Sequence, residues 1–244
     1  MSIPMSMSSP STEPTLIFAD PHNQIWVLNK PAHYLTHSDG SGRPDLLSFI
    51  AQSEVFSKWS SLSFHPLHRL DLGTSGLICF STSPRGVQTW QHFWQNHQIE
   101  KRYLGLVGGI MRPKGIIKRP LKDQRRKKAL EAKTRYRTLW RFEGCCLVEF
   151  RPQHGRKHQI RRHIQSLGYA LSGDTRYTSK KNRHLSHTPD RLWLHAHRLH
   201  LSQDSSQDTS LASLFGPWKA PLPDDLKDHL LKLGGEEILA RLDS

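Results

Sequence analysis

His65-Pro66-Leu67-His68-Arg69-Leu70-Asp71-Leu72-Gly73-Thr74-Ser75-Gly76-Leu77-Ile78 sets a cluster of turn-forming residues between two apolar runs. Leu67 and Leu70 lead into it, and Leu77-Ile78-Cys79-Phe80 lead out. Between these apolar runs stands one carboxylate, Asp71, followed by the turn-forming Gly73, Thr74, Ser75 and Gly76. The pattern predicts a hairpin that presents Asp71 at a sheet edge with the cation of Arg69 beside it. A solvated turn aspartate fits the same pattern, because Asp readily bonds the backbone of its own turn.

Outward from that stretch, the 244 residues suit one domain with a buried core. Lys and Arg number 35 against 21 Asp and Glu, giving a formal charge of +14 with the 16 histidines neutral. So large an excess points to a polyanionic partner, either nucleic acid or an acidic membrane surface. No apolar run approaches the roughly 18 residues of a membrane span, which favours RNA. Residues 1–15 are rich in Ser, Pro and Met and lack both a basic start and an apolar core. They are expected to be a disordered tail rather than a signal peptide, leaving 16–244 as a single domain. Cys79, Cys145 and Cys146 form no disulfide framework, which implies a reducing cytoplasm.

Along the chain, Gln24–Asn29 reads as a strand broken by Lys30-Pro31. Leu46, Leu47 and Ile50 mark a short amphipathic helix. Ser83-Pro84 is a helix start, and Val87, Trp90, Phe93, Trp94 and His97 recur at helical spacing. Trp90 and Trp94 could stack on bases, but the spacing they share with Val87 argues for core packing. Lys101–Val107 reads as a strand with Tyr103, Gly105 and Val107 on one face. Residues 112–133 are strongly basic, include Arg125, Arg126, Lys127 and Lys128, and hold two prolines that disfavour one compact helix. Such a run is commonly a solvated surface, and in so basic a chain it is also a candidate for phosphate contact.

Thr134–Trp140 and Cys145–Phe150 form an antiparallel pair around Glu143-Gly144. A helix follows, with Ile160, Ile164 and Leu167 on its buried face and Gly168 as its stop. At about 100° per residue, Arg161 falls at the border of that face and Arg162 towards solvent. A border arginine needs a carboxylate or exposure. Leu192–Leu201 is a strand with His195 and His197 on one face. No cysteine or zinc-like spacing accompanies them, so they read as structural histidines. Residues 220–225 cap a C-terminal helix.

His68-Arg69-Leu70-Asp71-x-x-Thr74-Ser75-Gly76 resembles the signature of the RluA-type pseudouridine synthases of ribosomal and transfer RNA. Gly155-Arg156-Lys157-His158-Gln159-Ile160-Arg161-Arg162-His163 is similar to a second motif of that family. Asn29-Lys30-Pro31, Ala132-x-Thr134-x-Tyr136, Gly168–Tyr177 and Leu194-His195-Ala196 resemble others, in order along nearly the whole chain. Tyr169 and Ala170 replace the family's usual His-Pro, a departure in a turn. The small RNA-binding domain that precedes the first motif in several relatives has no counterpart here, so the catalytic domain is expected to bind RNA by itself.

The resemblance implies an α+β pseudouridine synthase fold: a mixed, mostly antiparallel central sheet with peripheral helices and a central active cleft. It implies isomerisation of uridine, in which the N1–C1′ bond breaks, the uracil turns, and C5 joins C1′. Asp71 would be the catalytic carboxylate, as nucleophile or as base. Arg161 would hold Asp71 ionised and oriented. Tyr103 would stack on the target uracil, Arg69 would fill the space vacated by the flipped nucleotide or contact phosphate, and Ile160 would line the base pocket. The chemistry needs no metal or cofactor. The expected partner is structured RNA, transfer or ribosomal, bound by a cytoplasmic monomer without a membrane. Arg161-Arg162-His163 looks closer to the transfer-RNA-directed relatives. Two rivals stand beside this reading. A catalytically silent RNA binder would lack Asp71, Tyr103 or Arg161, and a metal-dependent hydrolase would need ligand spacing that the histidines do not supply.

Overall fold

The computed structural model describes residues 13–123, 128–178, 189–201 and 216–243. In its first half, strands β1 (Thr15–Asp20) and β2 (Ile25–Lys30) precede helix α1 (Leu46–Gln52) and a 3-10 turn at Glu54–Trp59. β3 (His65–Pro66), β4 (Ser75–Ser81), helix α2 (Pro84–Gln95) and β5 (Ile99–Gly108) follow. The second half runs β6 (Lys114–Lys118), β7 (Leu121–Asp123), β8 (Lys128–Leu130), β9 (Lys133–Phe142) and β10 (Cys145–Pro152). It ends with α3 (Gln159–Ser166), β11 (Ala170–Leu171), β12 (Leu194–Leu201), β13 (Trp218–Lys219), α4 (Asp224–Lys232) and α5 (Glu236–Asp243). The expected tail lies mostly outside the described residues. Its last member, Thr15, already opens β1, which pairs antiparallel with β2.

Among the described residues, eleven strands form one sheet in the order β1-β2-β4-β12-β5-β10-β9-β6, with β3, β11 and β13 attached to β4, β5 and β12. All of its pairings are antiparallel except β4 against β12, where Ser75 faces His195 and Gly76 faces Ala196. This single parallel junction sits at the middle of the sheet. The chains cross so closely there that a Cβ on Gly76 would lie 2.2 Å from the Ala196 carbonyl oxygen, and Gly76 has φ +112. Only glycine accepts both the conformation and the approach.

Strand periodicity sorts the core onto two faces. Ile25, Val27, Leu77 and Cys79 pack with Trp90 of α2, whereas Trp26, Leu28, Ile78 and Phe80 pack with Leu46 and Ile50 of α1. In the other half, Cys146, Val148 and Phe150 meet Ile160 and Ile164 of α3, while Cys145 and Leu147 meet Leu226 and Leu230 of α4. Ile99 and Val107 are on one side of β5, so α2 and α3 share a face of the sheet. The open strip between them exposes Tyr103.

The helices begin as the sequence predicts. Asp45 accepts from Leu47 and Ser48, and Ser83 accepts from Gly86 with Pro84 at the first position. The stripe on α2 is core: Trp90 is buried, and Val87, Phe93 and Trp94 pack around it. Truncating such a tryptophan costs about 3–5 kcal/mol.

Two expectations are corrected. The strand entering Asp71 stops early: β3 pairs only His65 and Pro66 with β4, and Leu67 adds one bond to Cys79. The imidazole of His68 then accepts the Cys79 N–H at 3.1 Å, which takes the next rung from the backbone and frees 68–74 as a loop. Leu167 is 41 % exposed rather than buried, because α3 ends at Ser166 and Gly168 (φ +79) already turns the chain away. The basic segment forms no helix among its described residues, as its prolines predict. It supplies β6 and the separate β7–β8 hairpin.

Candidate active site

The loop carrying Asp71 is pinned from beneath. Lys30, at the end of β2, is fully buried, and its ammonium donates to the carbonyls of Pro31 at 2.9 Å, Tyr34 at 2.8 Å and Leu72 at 3.4 Å. Burial, helped by the charge of Arg191 and opposed by that of Asp71, lowers its pKa to about 7. The His33 N–H also donates to Leu72, and Thr74 N–H closes a turn onto the Asp71 carbonyl. The loop backbone is thereby fixed, while the Asp71 side chain faces an open cleft of about 640 Å³.

Asp71, Arg69, Tyr103, Ile160 and Arg161 all line this cleft, so residues far apart in sequence converge there. Lys128 lies elsewhere, exposed on β8, and Arg125, Arg126 and Lys127 fall outside the described residues. Arg69 is exposed at the rim. Tyr103 comes from the central strand β5, where it pairs with Ala196 on one side and Phe150 on the other. Burial raises the pKa of its phenol, and the Asp71 charge raises it further, so it stays neutral at ordinary pH. Ile160 is 5 % exposed, with one side in the core and one at the cleft wall. Asp71 is the one carboxylate among the described lining residues, against the cations Lys122, Arg156, Lys157, Arg162 and Arg176 in addition to Arg69 and Arg161.

The partner expected for Arg161 is corrected. Its Nε and Nη2 donate to Asp174 at 2.8 and 2.9 Å, a bidentate pair, while Nη1 stands 3.6 Å from Asp71 Oδ2. Burial alone would lower the Arg161 pKa, but its bonds to Asp174 and the charges of Asp174 and Asp71 outweigh that and raise it. Burial likewise raises the Asp174 carboxyl, yet the bonds from Arg161 and from the Tyr177 and Arg176 backbone bring it below its ordinary value. Arg162 is also redirected. Its Nη2 donates to the Lys122 carbonyl at 3.2 Å, clasping the β7–β8 hairpin to α3.

His158 and Tyr177 complete a ring that sequence reasoning missed. His158 Nε2 lies 3.7 Å from Asp71 Oδ1, its Nδ1 meets the Tyr177 hydroxyl at 3.1 Å, and the Arg161 guanidinium lies 5.0 Å from the centre of the Tyr177 ring. Burial lowers the His158 pKa, Asp71 raises it, and Arg161, Arg176 and Lys157 lower it again. Each oxygen of Asp71 thus faces a different nitrogen base, and those bases are bound to one another through Asp174 and Tyr177. The signal was present in Gly173-Asp174-x-x-Tyr177. An Asp whose Oδ1 accepts from the two N–H groups at Arg176 and Tyr177 is an anchored turn.

Other polar groups are accounted for away from the cleft. Glu100 and Glu149 pair with Arg102 and Arg151 at 2.6–2.7 Å, on side chains flanking the sheet. His195 and His197 both reach the Ala220 carbonyl, and Ser75 meets His195 Nδ1 at 2.9 Å. Among the described residues, no helix is long and apolar enough to cross a membrane.

Chemically, the arrangement is one carboxylate, oriented by cations, above a neutral tyrosine on a rigid sheet floor, in a basic cleft. It can deliver an oxyanion to an electron-poor carbon or take a proton, and it has room and charge for an RNA strand. The comparisons agree with this chemistry. A family model described as RNA pseudouridylate synthase matches residues 24–166. The tRNA pseudouridine synthase C of Haemophilus ducreyi is 32% identical over 203 residues, covering 74% of this chain and 82% of that protein. Its namesake in Pasteurella multocida is 34% identical over 208 residues, covering 75% of this chain and 84% of that protein. The solved human RNA Pseudouridylate Synthase Domain Containing 4 shares the fold with a TM-score of 0.70 at 21% identity, covering 90% of this chain and 92% of that one. The chain therefore belongs to the RNA pseudouridylate synthase family, and it is an RNA pseudouridine synthase.

Proposed function

We propose that the chain isomerises specific uridines of transfer RNA, with Asp71 as the catalytic carboxylate. The observation that carries this reading is the ring around Asp71, because it orients the one carboxylate in a cleft otherwise lined by cations. Arg161 positions Asp71 through Nη1 while Asp174 fixes the guanidinium plane. Tyr103 stacks on the uracil once the nucleotide is extruded, Ile160 bounds the base, and Arg69 fills the vacated space or meets phosphate. Arg125, Arg126, Lys127 and Lys128 contact the RNA backbone, and 16–244 acts as one catalytic domain in a cytoplasmic monomer. The similarity to proteins named tRNA pseudouridine synthase C supports transfer RNA as the substrate.

Pseudouridine mapping of transfer and ribosomal RNA from cells with and without the gene tests the whole reading. Complementation uses wild type and Asp71→Asn. A transfer-RNA site that disappears on deletion and returns only with wild type is the expected result. Restoration by Asp71→Asn removes Asp71 from the chemistry, and a lost site in ribosomal RNA alone reassigns the substrate.

A further inference from the structure

A second hollow of about 530 Å³ opens beside the cleft, lined by Arg119, Pro120, Leu121, Lys122, Arg162, Gln165, Ser166 and Tyr177. Leu121, Lys122, Arg162 and Tyr177 belong to both hollows, so these residues form a shared wall. Tyr177 is also the member of the Asp71 ring that bonds His158. The side groove therefore adjoins the reacting centre rather than standing apart on the surface.

The groove is built rather than incidental. His163 of α3 is fully buried, and its Nε2 donates to the Arg119 carbonyl at 3.0 Å, so its Nδ1 accepts from the Thr134 hydroxyl at 2.9 Å. Arg162 clasps the next turn of backbone at the Lys122 carbonyl. Two consecutive residues of one helix thus fix the backbone that carries Arg119 and Lys122. Leu121, between them, is buried as an apolar plug. The side chains of Arg119 and Lys122 remain exposed. No carboxylate lines the groove among its described residues, and none ion-pairs there with Arg119, Lys122 or Arg162. Three cations on a fixed backbone, with no carboxylate beside them among the described residues, make a positive field that favours an anion.

We propose that this groove holds the phosphate of a nucleotide flanking the target uridine, with Arg119, Lys122 and Arg162 as its ligands and Tyr177 as the wall between neighbour and target. This rests on the reading that the target uridine sits at Asp71. A strand whose target base enters the cleft must leave past that wall, and the groove is the basic exit beside it. Guanidinium donors fit phosphate oxygens in pairs, and Arg162 keeps donors free beyond the one given to Lys122. A flanking phosphate held here fixes the backbone on one side of the extruded nucleotide, which is where extrusion needs a hold.

The test uses the full chain and transfer RNA purified from cells lacking the gene. Arg119→Ala/Lys122→Ala removes two exposed side chains while leaving intact the backbone carbonyls that α3 grips. Binding is measured across a salt series, with Arg85→Ala/Lys232→Ala as a control for net charge, since both residues are exposed and distant in the fold. The groove variant is expected to bind about tenfold more weakly than wild type, with a salt slope shallower by about 1. The loss should be overcome by saturating RNA. A photo-crosslinker placed at Gln165, on the groove's exposed rim, should map within two nucleotides of the modified uridine. Equal weakening in groove variant and control overturns the proposal, as does a crosslink to protein or to a distant stretch of RNA. If Asp71→Asn still forms pseudouridine while the crosslink maps beside the modified uridine, the reading of Asp71 fails and the groove assignment stands.

Discussion

Two histidines face the segment that leads into β4, and they differ in everything but the ring. His158 faces Asp71 within the loop, from a cleft wall, with a tyrosine hydroxyl on its other nitrogen. His195 faces Ser75, the first residue of β4, fully buried, with the Ala220 carbonyl behind it. A carbonyl only accepts, so His195 carries its proton on Nε2 and takes the Ser75 hydroxyl on Nδ1. Burial, together with the charge of His197, then lowers its pKa to about 3. His158 is pulled down by burial and partly restored by the carboxylate it faces. One imidazole belongs to a charged ring at the cleft wall, and the other is a neutral strut. The difference lies in the company: a lone carboxylate recruits cations, whereas a hydroxyl and a carbonyl fix a neutral tautomer.

The largest break in that contrast comes from the charged side. Asp174→Asn leaves the Arg161 guanidinium half-buried without its bidentate carboxylate, and removing one partner of a buried pair costs about 3 kcal/mol. Single-turnover pseudouridine formation should fall by about a hundredfold as Arg161 loses its plane, while a urea titration records the stability loss. Retained activity would mean that Asp71 orients without Arg161. Next, His158→Ala should slow single turnover by about tenfold, and Tyr177→Phe by a few-fold, since the latter removes only the hydroxyl behind the ring. Were Tyr177→Phe the worse of the two, the phenol rather than the imidazole would be the working group.

On the neutral side, pH separates the regions. His68, His195 and His197 have folded pKa values of about 3, 3 and 4, each displaced first by burial. The unfolded chain therefore takes up protons first below pH ~6.5. Stability is full above that pH and falls as the pH drops towards 4, by up to about 1.4 kcal/mol per pH unit for each histidine. A urea midpoint at pH 5 well below that at pH 7 is expected, and His195→Gln should flatten the dependence. A midpoint unchanged between the two would show that these rings are hydrated. The smallest effect belongs to Ser75→Ala, about 1 kcal/mol for one neutral bond, with pseudouridine formation intact.

Much of this was legible in sequence because it is local. Strand alternation assigned a face of β5 through Tyr103, Gly105 and Val107, the start of α2 was spelled out at Ser83-Pro84, and Gly144 and Gly168 stand at turns with positive φ. The convergence of Asp71, Tyr103, Ile160 and Arg161 followed from resemblance rather than from any local pattern. The partner of Arg161 was misjudged for a physical reason. A guanidinium has two edges, and choosing between carboxylates needs the distance, which separations of 13 residues to Asp174 and 90 to Asp71 do not reveal. His158 stood in the second motif without a role, because its nearness to Asp71, 87 residues away, exists only in the folded chain. Lys30 was read as a strand breaker's companion. Its role depends on three carbonyls that only the folded loop brings together.

His158 also stands at φ +53, in the left-handed region, at the entrance to α3, and its side chain makes no cap bond. That conformation costs an L-residue on the order of 1 kcal/mol, which glycine would not pay. The backbone there aims the ring at Asp71 at the expense of the helix it begins. Laboratory selection for thermal endurance alone should therefore drift towards glycine at this position and yield hardier protein that modifies RNA poorly. The reverse also holds: a population kept under selection for modification retains a residue that its own helix would discard.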